Sequence, residues 1–177
     1  PYTWDKERVS SYIRYVDTDN QSHWLFDSFL FLEIMDTGTG GANKMFAKGY
    51  NLESANQADW TKLIDYYFQS ETGIGALDAS VKEASAILGT PRQKRQIVIS
   101  IPEPIVYQHP EQASSSTKYW GKIDNQTLDF SNSADRIKAC KWYIDQVRAK
   151  FNEKNYQHVE LAGFYWLAEK ATDIRDI

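Results

Sequence analysis

Three long apolar runs leave few folds open to this chain: "WLFDSFLFLEIM" at 24–35, "RQIVISIPE" at 95–103 and "HVELAGFYWLAE" at 158–169. Stretches of helical period separate them. After the first run, Asn56 with Asp59 three residues on reads as a helix N-cap, followed by Trp60, Leu63, Ile64 and Tyr67 on one face. A second helix carries Leu77, Val81, Ala84 and Leu88, and Gly89 is placed to end it. Between the second and third runs, Asn132 and Asp135 open a long helix over 133–152. Strand, helices, strand, helix, strand at these lengths predicts right-handed βαβ units around a parallel sheet, an α/β class.

Residues 10–16, "SSYIRYV", read as a further short strand. The connection "DTDNQSH" is too short for a parallel crossover, so this strand pairs with the next as a hairpin or belongs elsewhere in the sheet. The loop over 36–56 carries "TGTGGANK" at its head, which fits neither the Walker spacing nor the dinucleotide fingerprint, and is expected to be a mobile or substrate-facing loop. A doubly wound nucleotide binder would carry a glycine-rich first turn, and that turn is missing. Barrel logic fits better, because function then gathers at the C-terminal ends of the strands. A (β/α)₈ barrel takes about 250 residues, more than the 177 here. The expectation is therefore a single domain over 1–177: parallel βα units forming the N-terminal half of a TIM-barrel-like fold, with an N-terminal hairpin or short extra strand.

Composition narrows the partners. A net charge of −4 with no basic run argues against nucleic acid. No apolar run approaches the roughly 20 residues that span a bilayer. "PYTWDKERVS" lacks the basic and apolar regions of a signal peptide, so the expected protein is intracellular or has lost a leader. Cys140 shares helical spacing with Ile137, Ile144, Val147 and Phe151 and reads as a core residue rather than a nucleophile. His23, His109 and His158 lack the pairing of a zinc site. Asp17 and Asp19 lack the glycine and distant glutamate of an EF-hand, so an Asx turn is expected there. No metal and no cofactor is predicted.

Each apolar run reaches a glutamate: Glu33, Glu103 and Glu169. Alternation places Phe29, Phe31 and Glu33 on one face; Ile99, Ile101 and Glu103 on one; and Gly163, Tyr165, Leu167 and Glu169 on one. Three carboxylates at parallel strand ends read as a lining. Two carboxylates across a cleft are the equipment for cleaving a glycosidic bond, one protonating the leaving oxygen and the other attacking or activating water. Aromatic side chains serve as platforms for sugar faces, and the chain holds 6 Trp, 11 Tyr and 8 Phe. Trp24, Tyr107, Tyr119, Trp120, Tyr165 and Trp166 fall at strand ends or in loops, while Trp60 and Trp142 on helices are expected to fill the core.

The segments "YVDTD…WLFDSFLFLE", "DWTKLIDYYF…LDASVKEASAILG", "IVISIPEP", "KWYIDQVRAKF" and "ELAGFYWLAE", taken in order, resemble a bacterial family catalogued as a domain of unknown function. That family is often found in secreted proteins of carbohydrate-degrading bacteria and resembles TIM barrels of the glycoside hydrolase type. The resemblance covers nearly the whole chain, with "GFYWLAE" its most specific piece. It implies a barrel whose later strands lie beyond residue 177, in a C-terminal half of the same protein. It also implies a secreted, periplasmic or cell-surface protein, with Glu169 as acid/base at the end of strand 4 and a nucleophile from a later strand. Glu103 aligns with no catalytic position of that family and stands on the residues alone. The candidate catalytic residues are Glu169 and, on the residues alone, Glu103, with Trp166, Tyr165, Glu33, Asp17, Tyr107 and Trp120 contacting a polysaccharide or oligosaccharide. A non-catalytic carbohydrate-binding or surface-interaction domain is the alternative.

Overall fold

The computed structural model describes residues 3–36, 43–112 and 117–169. In chain order the elements begin with α1 (Lys6–Ile13), β1 (Arg14–Val16), β2 (Ser22–Trp24) and β3 (Ser28–Phe31). There follow β4 (Met35–Asp36), β5 (Lys44–Met45), β6 (Glu53–Ser54), α2 (Gln57–Tyr67) and α3 (Gly73–Leu88). The chain then forms β7 (Arg95–Ile101), β8 (Lys122–Ile123), β9 (Gln126–Thr127), α4 (Ser133–Lys154) and β10 (Val159–Trp166).

The expected half-barrel is not what forms. The described residues make a mixed α/β fold with four helices and four small sheets, and no barrel. One sheet is parallel, in the order β10-β7-β3, and three strands do not close on themselves. The β1-β2 and β8-β9 pairs are antiparallel. In the β4-β5-β6 sheet, one pair is antiparallel and the other parallel. Two local causes account for the difference. The run at 24–35 is broken into short pieces, leaving β3 four residues long. The segment at 36–56, expected as a plain loop, supplies the strands of a separate sheet outside residues 37–42, which lie beyond the described part.

The strand expected at 10–16 is also corrected. Asp5 caps a helix there, accepting the Arg8 backbone N–H at 3.0 Å, and Val9 and Ile13 bury one face at i, i+4. Only Arg14–Val16 is extended, and it forms a hairpin with β2, which lies mostly in the stretch expected as the connection rather than in the run at 24–35. Asp17 makes the Asx turn between them, accepting from the N–H groups of Asp19 at 2.9 Å and Gln21 at 2.8 Å.

The later helices follow the sequence closely. Asn56 and Asp59 form a reciprocal capping box on α2, at 3.1 and 2.9 Å. Gly89 ends α3 with φ of 79°, and Asn132 caps α4 through the Ala134 N–H. β7, central in the parallel sheet, places Ile97, Ile99 and Ile101 in a core shared with Leu77 and Val81 of α3 and with Ala139, Tyr143 and Val147 of α4. Trp60 sits at the centre of that core, as expected, edge-on to Trp120 at 5.1 Å and to Tyr143 at 5.7 Å between ring centroids. Among the described residues, no helix is long and apolar enough to cross a membrane.

Candidate functional site at the C-terminal rim of the parallel sheet

Because β3, β7 and β10 run parallel, their C-terminal ends lie on one rim. Phe31 pairs with Ile99, and Trp166 with Ile101. Glu33 follows β3, Glu103 follows β7 and Glu169 follows β10. All three glutamates therefore stand at the same end of the sheet, but in different environments.

Glu103 is built into the backbone. Its N–H donates to the Phe46 carbonyl at 2.8 Å, and its Oε2 accepts from the Lys48 N–H at 2.7 Å. Phe46 in turn donates its N–H to the Ile34 carbonyl at 2.8 Å, so the segment after β5 is stitched across the ends of β3 and β7. Tyr107 belongs to the same corner: its carbonyl accepts from the Ser54 hydroxyl at 2.7 Å, and the Lys48 ammonium lies 5.7 Å from its ring centroid.

Glu169 is exposed and lies in a turn rather than on β10, which ends at Trp166, so alternation along the strand does not orient it. Its φ is 54° and its N–H donates to the Trp166 carbonyl at 3.2 Å. The Tyr165 hydroxyl donates to its Oε1. Trp166 is half-buried, and its indole N–H is buried without a hydrogen-bond acceptor among the described residues.

Two expected ligand contacts lie elsewhere. Trp120 is 1% exposed and stacks on Phe130 at 5.5 Å, so it is a core residue and not a sugar platform. The β1-β2 hairpin carrying Asp17 is rooted at the opposite end of the sheet. Trp24 closes it beneath the guanidinium of Arg95, the first residue of β7, at 4.4 Å. Asp17 there holds its own turn and lies 2.6 Å from the His23 Nε2.

Glu33 lines a cleft of about 260 Å³ at the outer edge of β3. Phe29 and Phe31 of β3, Trp4 and Tyr12 from the N-terminal segment, and Tyr66 and Tyr67 of α2 supply its aromatic walls. The Glu33 carboxylate accepts from the Met35 N–H and has no cationic partner among the described residues. Burial pushes its carboxyl above the usual range, and the charge of Asp36 adds to the effect. The sequence reading missed Trp4 and Tyr12 because a strand was expected over the second, and missed Tyr66 because it lies off the buried face of α2. The Asp5 cap and the Val9–Ile13 spacing were the available signals for α1.

This environment has a consequence for stability. Folding raises the proton affinity of Glu33, so the folded state holds a proton more tightly than the unfolded chain does. The stability tied to this group is therefore present at acid pH and lost as pH rises through the folded value. Glu33→Gln keeps an acceptor for the Met35 amide but removes the desolvated charge. Thermal melts should show little difference from wild type near about pH 3.5 and a gain for the variant near about pH 7.5. The same difference at both values would mean that Glu33 is not desolvated.

Fold and site together define a mixed α/β domain with an aromatic cleft along the outer edge of its parallel sheet, bearing the Glu33 carboxylate at the C-terminal rim. The chain belongs to the family described as Domain of unknown function (DUF4855), whose model matches residues 1–176. Comparison with curated proteins gives no match, and comparison with solved structures gives none.

Proposed function

We propose that this chain is a carbohydrate-binding domain that receives a glycan along the C-terminal rim of the β3-β7-β10 sheet. The observation that carries the reading is the cleft itself, with aromatic walls and one half-buried carboxylate that has no cationic partner among the described residues. Aromatic surfaces with a few placed polar groups are the usual composition of a small-ligand site. Trp166 stands two strands away, about 10 Å across the rim, and Tyr107 borders the β7 end, so an extended ligand meets aromatic side chains along its length. Each of the three glutamates already accepts from a backbone or hydroxyl donor, Glu33 from the Met35 N–H, Glu103 from the Lys48 N–H and Glu169 from the Tyr165 hydroxyl, which favours binding over cleavage. The similarity of the quoted segments to secreted proteins of carbohydrate-degrading bacteria supports a glycan ligand and a place outside the cytoplasm.

Hydrolysis is the second reading, and one observation favours it: a general acid for glycoside cleavage needs a raised pKa, and burial gives Glu33 that property. In this reading Glu33 protonates the leaving oxygen, and Glu169 or Glu103 acts as the second carboxylate. Calorimetric titration of oligosaccharides against wild type, Tyr66→Ala and Trp166→Ala tests the first reading, with reducing-end release measured alongside. Affinity should fall about tenfold or more in each variant, as expected when a central aromatic contact is removed. Turnover abolished by Glu33→Gln would establish the hydrolytic reading. Unchanged affinity in both aromatic variants would remove the rim as the site.

A further inference from the structure

The Glu33 cleft has a chemical bias that a neutral sugar does not use. Six of its twelve lining residues are aromatic: Trp4, Tyr12, Phe29, Phe31, Tyr66 and Tyr67. Their rings meet at close range, Trp4 with Tyr12 at 5.7 Å and Phe31 with Tyr67 at 5.6 Å between centroids. The remaining lining is aliphatic or glycine, apart from the single carboxylate of Glu33. Asp36 acts on that carboxylate with its negative charge, and no described cationic side chain pairs with Glu33.

A carboxylate held out of water is costly until a cation reaches it. Aromatic faces attract cations as well, through the negative face of the ring. A divalent metal would need more oxygen or nitrogen donors than the site holds, and no group of three or more His, Cys, Asp or Glu side chains able to hold one occurs among the described residues. A cleft of about 260 Å³ has room for an ammonium head with one small ring or chain. We propose that the Glu33 cleft binds an organic ammonium group, the Glu33 carboxylate pairing with the charge and the tyrosine and tryptophan rings surrounding its carbons. Resting on the glycan reading above, the natural ligand is then a glycan bearing free amines, with the amine seated against Glu33.

Four probes separate the possible sources of the ammonium: a glucosamine oligomer, its fully N-acetylated counterpart, choline and tetramethylammonium. Each is titrated calorimetrically against wild type, Glu33→Gln and Tyr66→Ala, with circular dichroism confirming that the variants are folded. Tyr66 is on the surface, so its truncation leaves the core in place. The glucosamine oligomer should bind wild type at least about tenfold more tightly than the acetylated one, and Glu33→Gln should erase that preference. Choline or tetramethylammonium binding that depends on Glu33, with no sugar bound, would keep the ammonium site and remove the glycan reading. Equal affinity for the two oligomers, indifferent to Glu33→Gln, would overturn the ammonium site and leave the glycan reading standing. No binding of any of the four probes would overturn it as well.

Discussion

Replacing Trp60 by alanine lowers the stability of this domain by about 3–5 kcal/mol, the range for emptying a buried indole site. The indole is 1% exposed and fixed on several sides. Trp120 meets it at 5.1 Å and Tyr143 at 5.7 Å, and Trp120 is itself held by Phe130 at 5.5 Å and Trp142 at 5.6 Å. Those rings come from α2, α4 and the segments flanking β8 and β9, so the cavity opens where separate elements meet and cannot close by one side chain swinging inward. For a domain of this length the loss corresponds to a fall in melting temperature of roughly 10 °C. Urea or thermal unfolding measures it directly. A loss under about 1 kcal/mol would show that the aromatic cluster is not the packed centre of the fold.

Gly75→Ala is the second large effect, and its sign runs against the usual rule. Within a helix, alanine is ordinarily better than glycine by about 0.5–1 kcal/mol. A Cβ at Gly75, however, would stand 2.4 Å from the Gln69 carbonyl oxygen and 2.4 Å from that of Ser70. Both are main-chain atoms in the turn joining α2 to α3, so relief requires the turn to move and α3 to shift on the core. The expected loss is about 1–3 kcal/mol, the cost of overpacking a fixed site. Gly89 is the contrast: its φ of 79° and ψ of 164° lie in a region essentially restricted to glycine, so alanine there costs about 1–3 kcal/mol through backbone strain alone, a Cβ meeting nothing within 4 Å. Chemical denaturation of both variants gives the comparison. A Gly75→Ala protein as stable as wild type would mean that the turn is not packed as described.

Local signals were legible wherever one short-range interaction decides the conformation. Asn56 with Asp59, Gly89 and Asn132 each mark a helix end through a bond or a backbone angle made within a few residues, and the structure has each of them. The run that became β7 was legible because a buried parallel strand is apolar on both faces; β10, an edge strand with Glu160 and Ala162 exposed, shows only its apolar run. The run at 24–35 was not, because Leu25, Phe26, Leu30 and Leu32 are exposed, and composition does not distinguish an exposed apolar edge from a buried strand. The sequence between 10 and 16 carries an alternating pattern, while Ile13 also pairs at i, i+4 with Val9 just before it. Asp5, outside that window, tips it to helix. The half-barrel expectation failed for a related reason: three adjacent parallel strands are common to open and closed sheets, and closure depends on pairings that periodicity does not encode.

The candidate site was legible in part. Strand-end counting found all three glutamates on one rim, since parallel strands put their ends together. It did not single out Glu33, because the cleft beside it is walled by Trp4 and by residues of α1, α2 and α3 that strand periodicity does not bring to β3. Trp120 shows the converse limit. A tryptophan in a loop reads as a platform until the loop folds inward over the core.

The most direct test of the rim as the ligand site is an amide chemical-shift titration of the isotope-labelled protein with the glucosamine oligomer. Perturbations are expected at Glu33, Met35, Tyr66 and Tyr67, extending across the sheet end to Glu103 and Trp166. Perturbations confined to the hairpin around Asp17 and His23, at the far end of the sheet, would contradict it.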